Sequence, residues 1–138
     1  DVSNRRHLQS YMRNIHTMEQ ITRINTNLRL LKNHQKTGYD AGNKTVSVEL
    51  SGLRVGDFVL TTFPGELTVP IGLNIKEASK HDLTFVAGYT NGYIYYAPTA
   101  DQLKNAGGAQ EDSDCMLAPA WQKIYEAKAG EIIRGLLK

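Results

Sequence analysis

The 138-residue sequence contains a single cysteine, Cys115, which excludes an internal disulfide and any paired-thiol metal or redox motif. Net charge is also slight. Sixteen Lys and Arg against fourteen Asp and Glu leave +2, too little for charge alone to imply a phosphate-binding surface. Arg5, Arg6, Arg13, Arg23, Arg29 and Lys32 gather toward the amino end, without the interleaved aromatics of a nucleic-acid stripe. A solvated helix face is expected there, and nucleic acid is not an expected partner. No apolar run approaches the ~20 residues of a membrane-spanning helix, and the opening residues lack the order of a signal peptide. The chain opens on Asp1, not Met, as a processed or cut product would.

Motifs of common enzyme classes are missing too. His7, His16, His34 and His81 form no HxH or HExxH pair, so these histidines are expected on the surface and not as a self-sufficient metal site. GxSxG, Walker A and GxGxxG patterns are absent, and with them the usual nucleophile elbow, phosphate loop and dinucleotide turn. Asn43-Lys44-Thr45 matches a glycosylation sequon, a pattern of low specificity.

What is present is an ordinary globular composition, 41% hydrophobic and 22% charged with 12 Gly and 4 Pro. That suits one domain, or one portion of a larger one. From Leu8 onward, Tyr11, Met12, Ile15, Met18, Ile21, Ile24, Leu28 and Leu31 fall at helical spacing and predict a long amphipathic helix. Ser3 or Asn4 would cap it, Asn25-Thr26-Asn27 would bend or end it, and residues 33–44, with Gly38 and Gly42, would form a loop. Val46, Val48 and Leu50 alternate with polar residues as in a half-buried strand, followed by a turn at Ser51-Gly52.

Phe58 to Phe63 reads as a buried central strand that stops at Pro64-Gly65. Glu66 to Ser79 has helical spacing at Leu67, Ile71 and Ile75, and Pro70 in the first turn costs no helical hydrogen bond. Glu66 would then sit at the positive end of that helix. Leu83 to Gly88 is a further strand, Thr90-Asn91-Gly92 a turn, and Tyr93 to Tyr96 a short extended segment. Ala100 to Asn105 is a short helix stopped by Gly107-Gly108, and residues 110–114 form an acidic loop. Pro119 to Leu137 is an amphipathic helix. Alternating strands and helices predict an α/β fold in which helices cover a small mixed sheet.

Two places attract chemistry. Pro64-Gly65-Glu66 leaves a buried strand, where ligands of open α/β sheets collect, and its glutamate suits a general base, a metal ligand or simply a helix cap. Four of the seven tyrosines, Tyr89, Tyr93, Tyr95 and Tyr96, lie within eight positions beside Asn91. They suit packed rings on an edge strand or a substrate pocket, where a phenol ligates a metal or donates to a developing oxyanion.

Three ordered blocks carry a resemblance. Leu53 to Leu60 (LRVGDFVL), Phe63 to Glu66 (FPGE) and Gly88 to Thr99 (GYTNGYIYYAPT) resemble successive segments of the neutral/alkaline non-lysosomal ceramidase family, in the carboxy-terminal part of its catalytic domain. The resemblance covers about a third of the chain. It implies a fragment of a larger layered α/β domain that hydrolyses the linear amide of an N-acyl, ceramide-like lipid with zinc. It further implies that Glu66 and Tyr96 ligate the zinc, that Tyr96 takes part in catalysis, and that Asn91 and Tyr93 stand at pocket positions of the pattern.

The family's histidine ligands belong to an amino-terminal region that these residues do not contain. The partners implied are therefore the amino-terminal remainder of the catalytic domain, the amide substrate and a membrane surface, and the isolated chain is expected to be inactive. Sphingolipid metabolism and a secreted, periplasmic or membrane-associated setting go with the resemblance. Where the family has a tyrosine and a glutamate after Gly-Gly, this chain has Ala109-Gln110, so one pocket hydroxyl is expected to be missing. The competing expectation is a non-catalytic binding or interaction module that has kept the fold and lost the metal site.

Overall fold

The computed structural model describes residues 2–40, 45–104 and 115–138. Asn43-Lys44, Gly42, Gly107-Gly108, Ala109-Gln110 and the acidic stretch 110–114 lie outside the described residues, as does the side chain of His34.

Helix α1 runs unbroken over Val2–Asp40, 39 residues, or ~58 Å at the usual rise. The expected bend at Asn25-Thr26-Asn27 and the expected loop from residue 33 are both replaced by helix up to Asp40. Asn and Thr each cost only about half a kcal/mol and glycine about 1 kcal/mol, while every added residue of an established helix gains a hydrogen bond. The apolar residues do not form a buried stripe. Leu30 is buried, whereas Leu8, Tyr11, Ile15, Met18, Ile24 and Leu31 are exposed.

The body is a three-stranded sheet in the order β1-β2-β4, with β1 at Gly52–Val55, β2 at Phe58–Thr62 and β4 at Thr84–Ala87. Val46 and Val48 are exposed and residues 45–50 form no strand. The chain instead begins to pair at Gly52, inside the Ser51-Gly52 step expected to be a turn. Gly52 pairs with Thr61 and Val55 with Phe58 in an antiparallel hairpin. Gly56, at φ +58, supplies the left-handed turn that this tight connection needs. Strand β2 is central, and β4 lies parallel to it from Val59–Thr84 to Thr62–Ala87.

The crossover between the parallel strands contains β3, Glu66–Leu67, and helix α2, Val69–Ser79. The helix starts three residues later than its spacing suggested, with Thr68 at the N-cap and proline in the first turn. Glu66 is thus a strand residue and not a helix cap. Tyr96–Ala97 forms β5, which pairs with β3, and Gln102–Lys104 forms the 3₁₀ turn η1. Helix α3 spans Trp121–Leu136.

Helices α2 and α3 cover one face of the sheet. Val59, Phe63, Ile71, Ile75, Ala97, Trp121, Tyr125, Ala129 and Ile133 form a continuous buried core. Gly52 lets α3 close on β1, since a Cβ there would lie 2.3 Å from Ile132 Cγ2. Arg54 reinforces the contact by donating through Nη1 to the carbonyl of Leu136 at 2.8 Å, where a helix end has unsatisfied acceptors. The opposite face of the sheet keeps Leu53, Val55, Phe58 and Phe85 exposed. Phe58 and Phe85 stack there at 4.8 Å. Among the described residues, helices thus cover the mixed sheet on one side.

Candidate active site

Strands β2 and β4 run parallel, so their carboxyl ends open at the same edge and their exit loops meet. The two loops are joined through backbone. Phe63 N–H donates to Ala87 O at 2.8 Å, Thr90 N–H to Phe63 O at 3.1 Å, Ile94 N–H to Pro64 O at 2.7 Å, Tyr89 N–H to Gly65 O at 3.0 Å and Glu66 N–H to Tyr95 O at 2.9 Å. Buried backbone polar groups require such partners, and here one loop supplies them to the other. A Cβ on Gly65 would sit 2.6 Å from Tyr95 O, so glycine is what permits this approach.

Aromatic side chains brace the exit of β2 from beneath. The Phe63 ring meets Trp121 at 5.5 Å and Tyr125 edge-on at 4.7 Å. Trp121 Nε1 donates to Pro98 O at 3.0 Å, and the Tyr125 hydroxyl donates to Thr62 O at 3.4 Å. Helix α3 thereby ties the residues just before Pro64-Gly65-Glu66 to those just after Tyr96-Ala97.

On this support the Glu66 carboxylate meets a group of phenols. Glu66 and Tyr96 are direct partners in the parallel β3-β5 ladder. The Tyr93 hydroxyl donates to Glu66 Oε1, and Tyr89 and Tyr96 stand close enough to act on the ionisation of the carboxylate. Partial desolvation pushes the Glu66 carboxyl up, but the hydrogen bonds from Tyr89, Tyr93 and Tyr96 together hold it below its ordinary value. Conversely, the hydrogen bond to Glu66, with desolvation and its negative charge, pushes the Tyr89 and Tyr93 phenols up to about 12. These opposite shifts favour the ionised carboxylate at Glu66 and the protonated phenol at Tyr89 and Tyr93.

Three of the four residues singled out from the sequence, Glu66, Tyr93 and Tyr96, are thus brought together. Asn91 is exposed at the turn, with φ +60, and its Nδ2 donates to Ser51 Oγ at 3.4 Å. Tyr89 was visible only as one member of a tyrosine-rich run. Its backbone is left-handed, φ +53, which the tyrosine itself does not signal. His81 stands apart, with Nδ1 3.3 Å from Thr84 Oγ1.

No protein-family model matches the sequence, and no curated protein matches it. Solved structures do. A ceramidase complexed with C2 superposes with a TM-score of 0.53 at 24% identity, over 63% of this chain and 14% of that one. Over that share of the chain the fold is similar to part of a ceramidase. The neutral ceramidase of Pseudomonas aeruginosa matches equally, with a TM-score of 0.51 at 24% identity over 63% of this chain and 15% of its own. The chain thus spans about a seventh of the length of these ceramidase chains. The resemblance carried by the blocks between Leu53 and Thr99 is borne out at the level of fold.

The zinc that the ceramidase resemblance implies fits these residues only as an incomplete set. Glu66 offers an ionised carboxylate and its ladder partner Tyr96 a phenolic oxygen, both acceptable zinc donors. Among the described residues no group of three or more His, Cys, Asp or Glu could hold a metal ion. Among the described residues, these two donors would fill at most two places in a zinc coordination shell.

Proposed function

We propose that this chain is the carboxy-terminal portion of a zinc-dependent amidohydrolase domain that cleaves the linear amide of an N-acyl, ceramide-like lipid. The amino-terminal remainder of that domain supplies the other zinc ligands, and the chain is inactive without it. The observation that carries this reading is the meeting of the Glu66 carboxylate with the Tyr93 hydroxyl and with its ladder partner Tyr96, on a framework similar to part of a ceramidase.

Bound zinc would polarise the amide carbonyl and lower the pKa of its water toward ~7. The chain's own residues prepare that chemistry. Glu66, kept ionised by its phenols, contributes negative charge and a fixed oxygen. Tyr96, held beside it by the β3-β5 ladder, ligates alongside Glu66 or donates to the oxyanion developing on the amide. Tyr93 occupies Glu66 Oε1 and restricts how the carboxylate turns. With Asn91, it lines the approach to the pair. An N-acyl lipid resides at a bilayer surface, so a membrane surface is the second partner proposed.

The test is zinc content and amide turnover in the natural protein, compared with Glu66→Ala and Tyr96→Phe. Loss of zinc in the first, and a rate loss of about a hundredfold or more in the second, are expected. Full zinc and full turnover in both variants would overturn the assignment. A natural protein without zinc or turnover would leave a non-catalytic binding module on the same fold.

A further inference from the structure

Helix α1 has little support from the rest of the fold. Every residue from Val2 to Thr22 is exposed, and among the described residues Leu30 is the one buried side chain of the helix. An arm of roughly 30 Å therefore stands free of the core. A helix of that length is marginal in water without a partner.

The arm is apolar along one side. At about 100° per residue, Leu8, Tyr11, Met12, Ile15 and Met18 fall within about 120° of the circumference, and each is at least 50% exposed. Past Met18 the stripe changes sides. Ile21, Ile24, Leu28 and Leu31, also exposed, lie on roughly the opposite face. The amphipathic unit is thus the arm and not the whole helix, and an exposed run of large apolar side chains marks an interaction surface.

Charge decides what covers it. Helix α1 carries seven Lys and Arg against Glu19 and Asp40, although the whole chain is only +2. Val2 to Met18 contain Arg5, Arg6 and Arg13, all outside the apolar arc, and neither Asp nor Glu. A second copy would set like charges against each other. The occupant is instead apolar within and anionic at its boundary, as a leaflet with acidic headgroups is to a helix that sinks about 5–10 Å into it. No helix among the described residues is long and apolar enough to cross a membrane, so the arm lies on the surface.

We infer that the arm, Val2 to Met18, docks parallel to an anionic lipid surface, its apolar stripe among the acyl chains and its arginines toward the headgroups. The choice of a lipid partner rests on the lipid substrate of the proposed function. The arm adds which face of the chain meets the bilayer and which headgroup charge it selects.

The experiment is co-sedimentation of the natural protein with phosphatidylcholine vesicles, with and without phosphatidylglycerol. The variants are Leu8→Ser with Ile15→Ser, Arg5→Gln with Arg13→Gln, and Ile24→Ser as the control on the other stripe. All these side chains are exposed, so melting temperatures close to the parent's are expected. The parent should bind the phosphatidylglycerol vesicles more tightly and lose affinity as salt rises. Affinity should fall about tenfold or more in the apolar pair and in the arginine pair, and be unchanged in Ile24→Ser. Binding retained by the apolar pair, binding indifferent to phosphatidylglycerol, or an equal loss in Ile24→Ser would overturn the inference. So would tight capture of RNA that the apolar pair keeps, which would give the arm a nucleic-acid partner. If the natural protein holds zinc and cleaves a water-soluble, short-chain N-acyl amide but ignores both vesicles, the inference fails and the proposed function stands. If it binds anionic vesicles through the arm without zinc or turnover, the proposed function fails and the inference stands.

Discussion

Glu66 and Tyr96, thirty positions apart in the sequence, are neighbours in a parallel ladder of only two residue pairs. So short a ladder gains little by itself, and its order derives from the loops that cross at Gly65 and from the aromatic support beneath. The accessible tests concern that support as much as the carboxylate.

Gly65→Ala places a methyl group against Tyr95 O, at a starting distance of 2.6 Å. The β2 exit must shift to accommodate it, at an expected cost of about 1–3 kcal/mol. Gly72→Ala in α2 is the matched control, because a Cβ there meets nothing within 4 Å. It is expected to stabilise by about 0.4–1 kcal/mol. Urea denaturation of the two variants checks both signs.

The Tyr89 and Tyr93 phenols, pushed up to about 12 chiefly by their hydrogen bonds to Glu66, predict a stability loss at alkaline pH. Their folded-state values are raised, so the stabilisation is complete below the ordinary tyrosine value of about 10 and disappears as pH rises toward 12. Tyrosinate absorbance should show these two phenols, with buried Tyr125, ionising above the ordinary tyrosine range. In Glu66→Gln, Tyr89 and Tyr93 should ionise earlier while Tyr125 does not change. The Glu66 carboxyl is held below its ordinary value, so its contribution is present at neutral pH and lost on acidification through its folded value.

Thr61 is fully buried, and among the described residues its hydroxyl has no hydrogen-bond partner. Replacing it with valine keeps the branched shape that suits a central strand and removes an unpaired polar atom. Thr61→Val is expected to stabilise by about 1 kcal/mol, read as a higher denaturation midpoint with an unchanged slope.

Ile133 is buried at the junction of α3 with the core. Truncation to alanine is expected to cost about 2–5 kcal/mol by loss of burial and creation of a cavity. Equilibrium denaturation measures that loss. Lys128→Ala on the same helix removes only an exposed ion pair with Glu131, and its expected cost is under about 1 kcal/mol.

Local pattern made much of the body legible. The β-branched and aromatic run from Phe58, the spacing of Ile71 and Ile75, and the stripe through Trp121, Tyr125 and Ile133 correspond to β2, α2 and α3. Pattern misled where neighbours decide. Val46, Val48 and Leu50 alternate as a strand does, yet the hairpin from Gly52 takes the place beside β2. Leu53 and Val55 alternate equally well, with Gly56 enabling the tight turn. The choice between the two segments is one of chain closure, not side-chain period.

The carboxylate and the tyrosines were visible as residue types, and the ordered blocks around them carried the resemblance to ceramidase. Which of their atoms meet was decided by folding. Parallel pairing of β2 with β4 brings two exit loops to one edge, and the left-handed backbone at Tyr89, Asn91 and Tyr95 turns the second loop back over the first. The sequence by itself determined the apolar periods, the glycine that allows close approach and the chemistry of an ionised glutamate among phenols. Only the tertiary structure decided that Tyr93 donates to Glu66, that Tyr96 pairs with it and that Tyr89 stacks on Tyr93, because that convergence depends on hydrogen bonds between segments more than twenty residues apart in the chain.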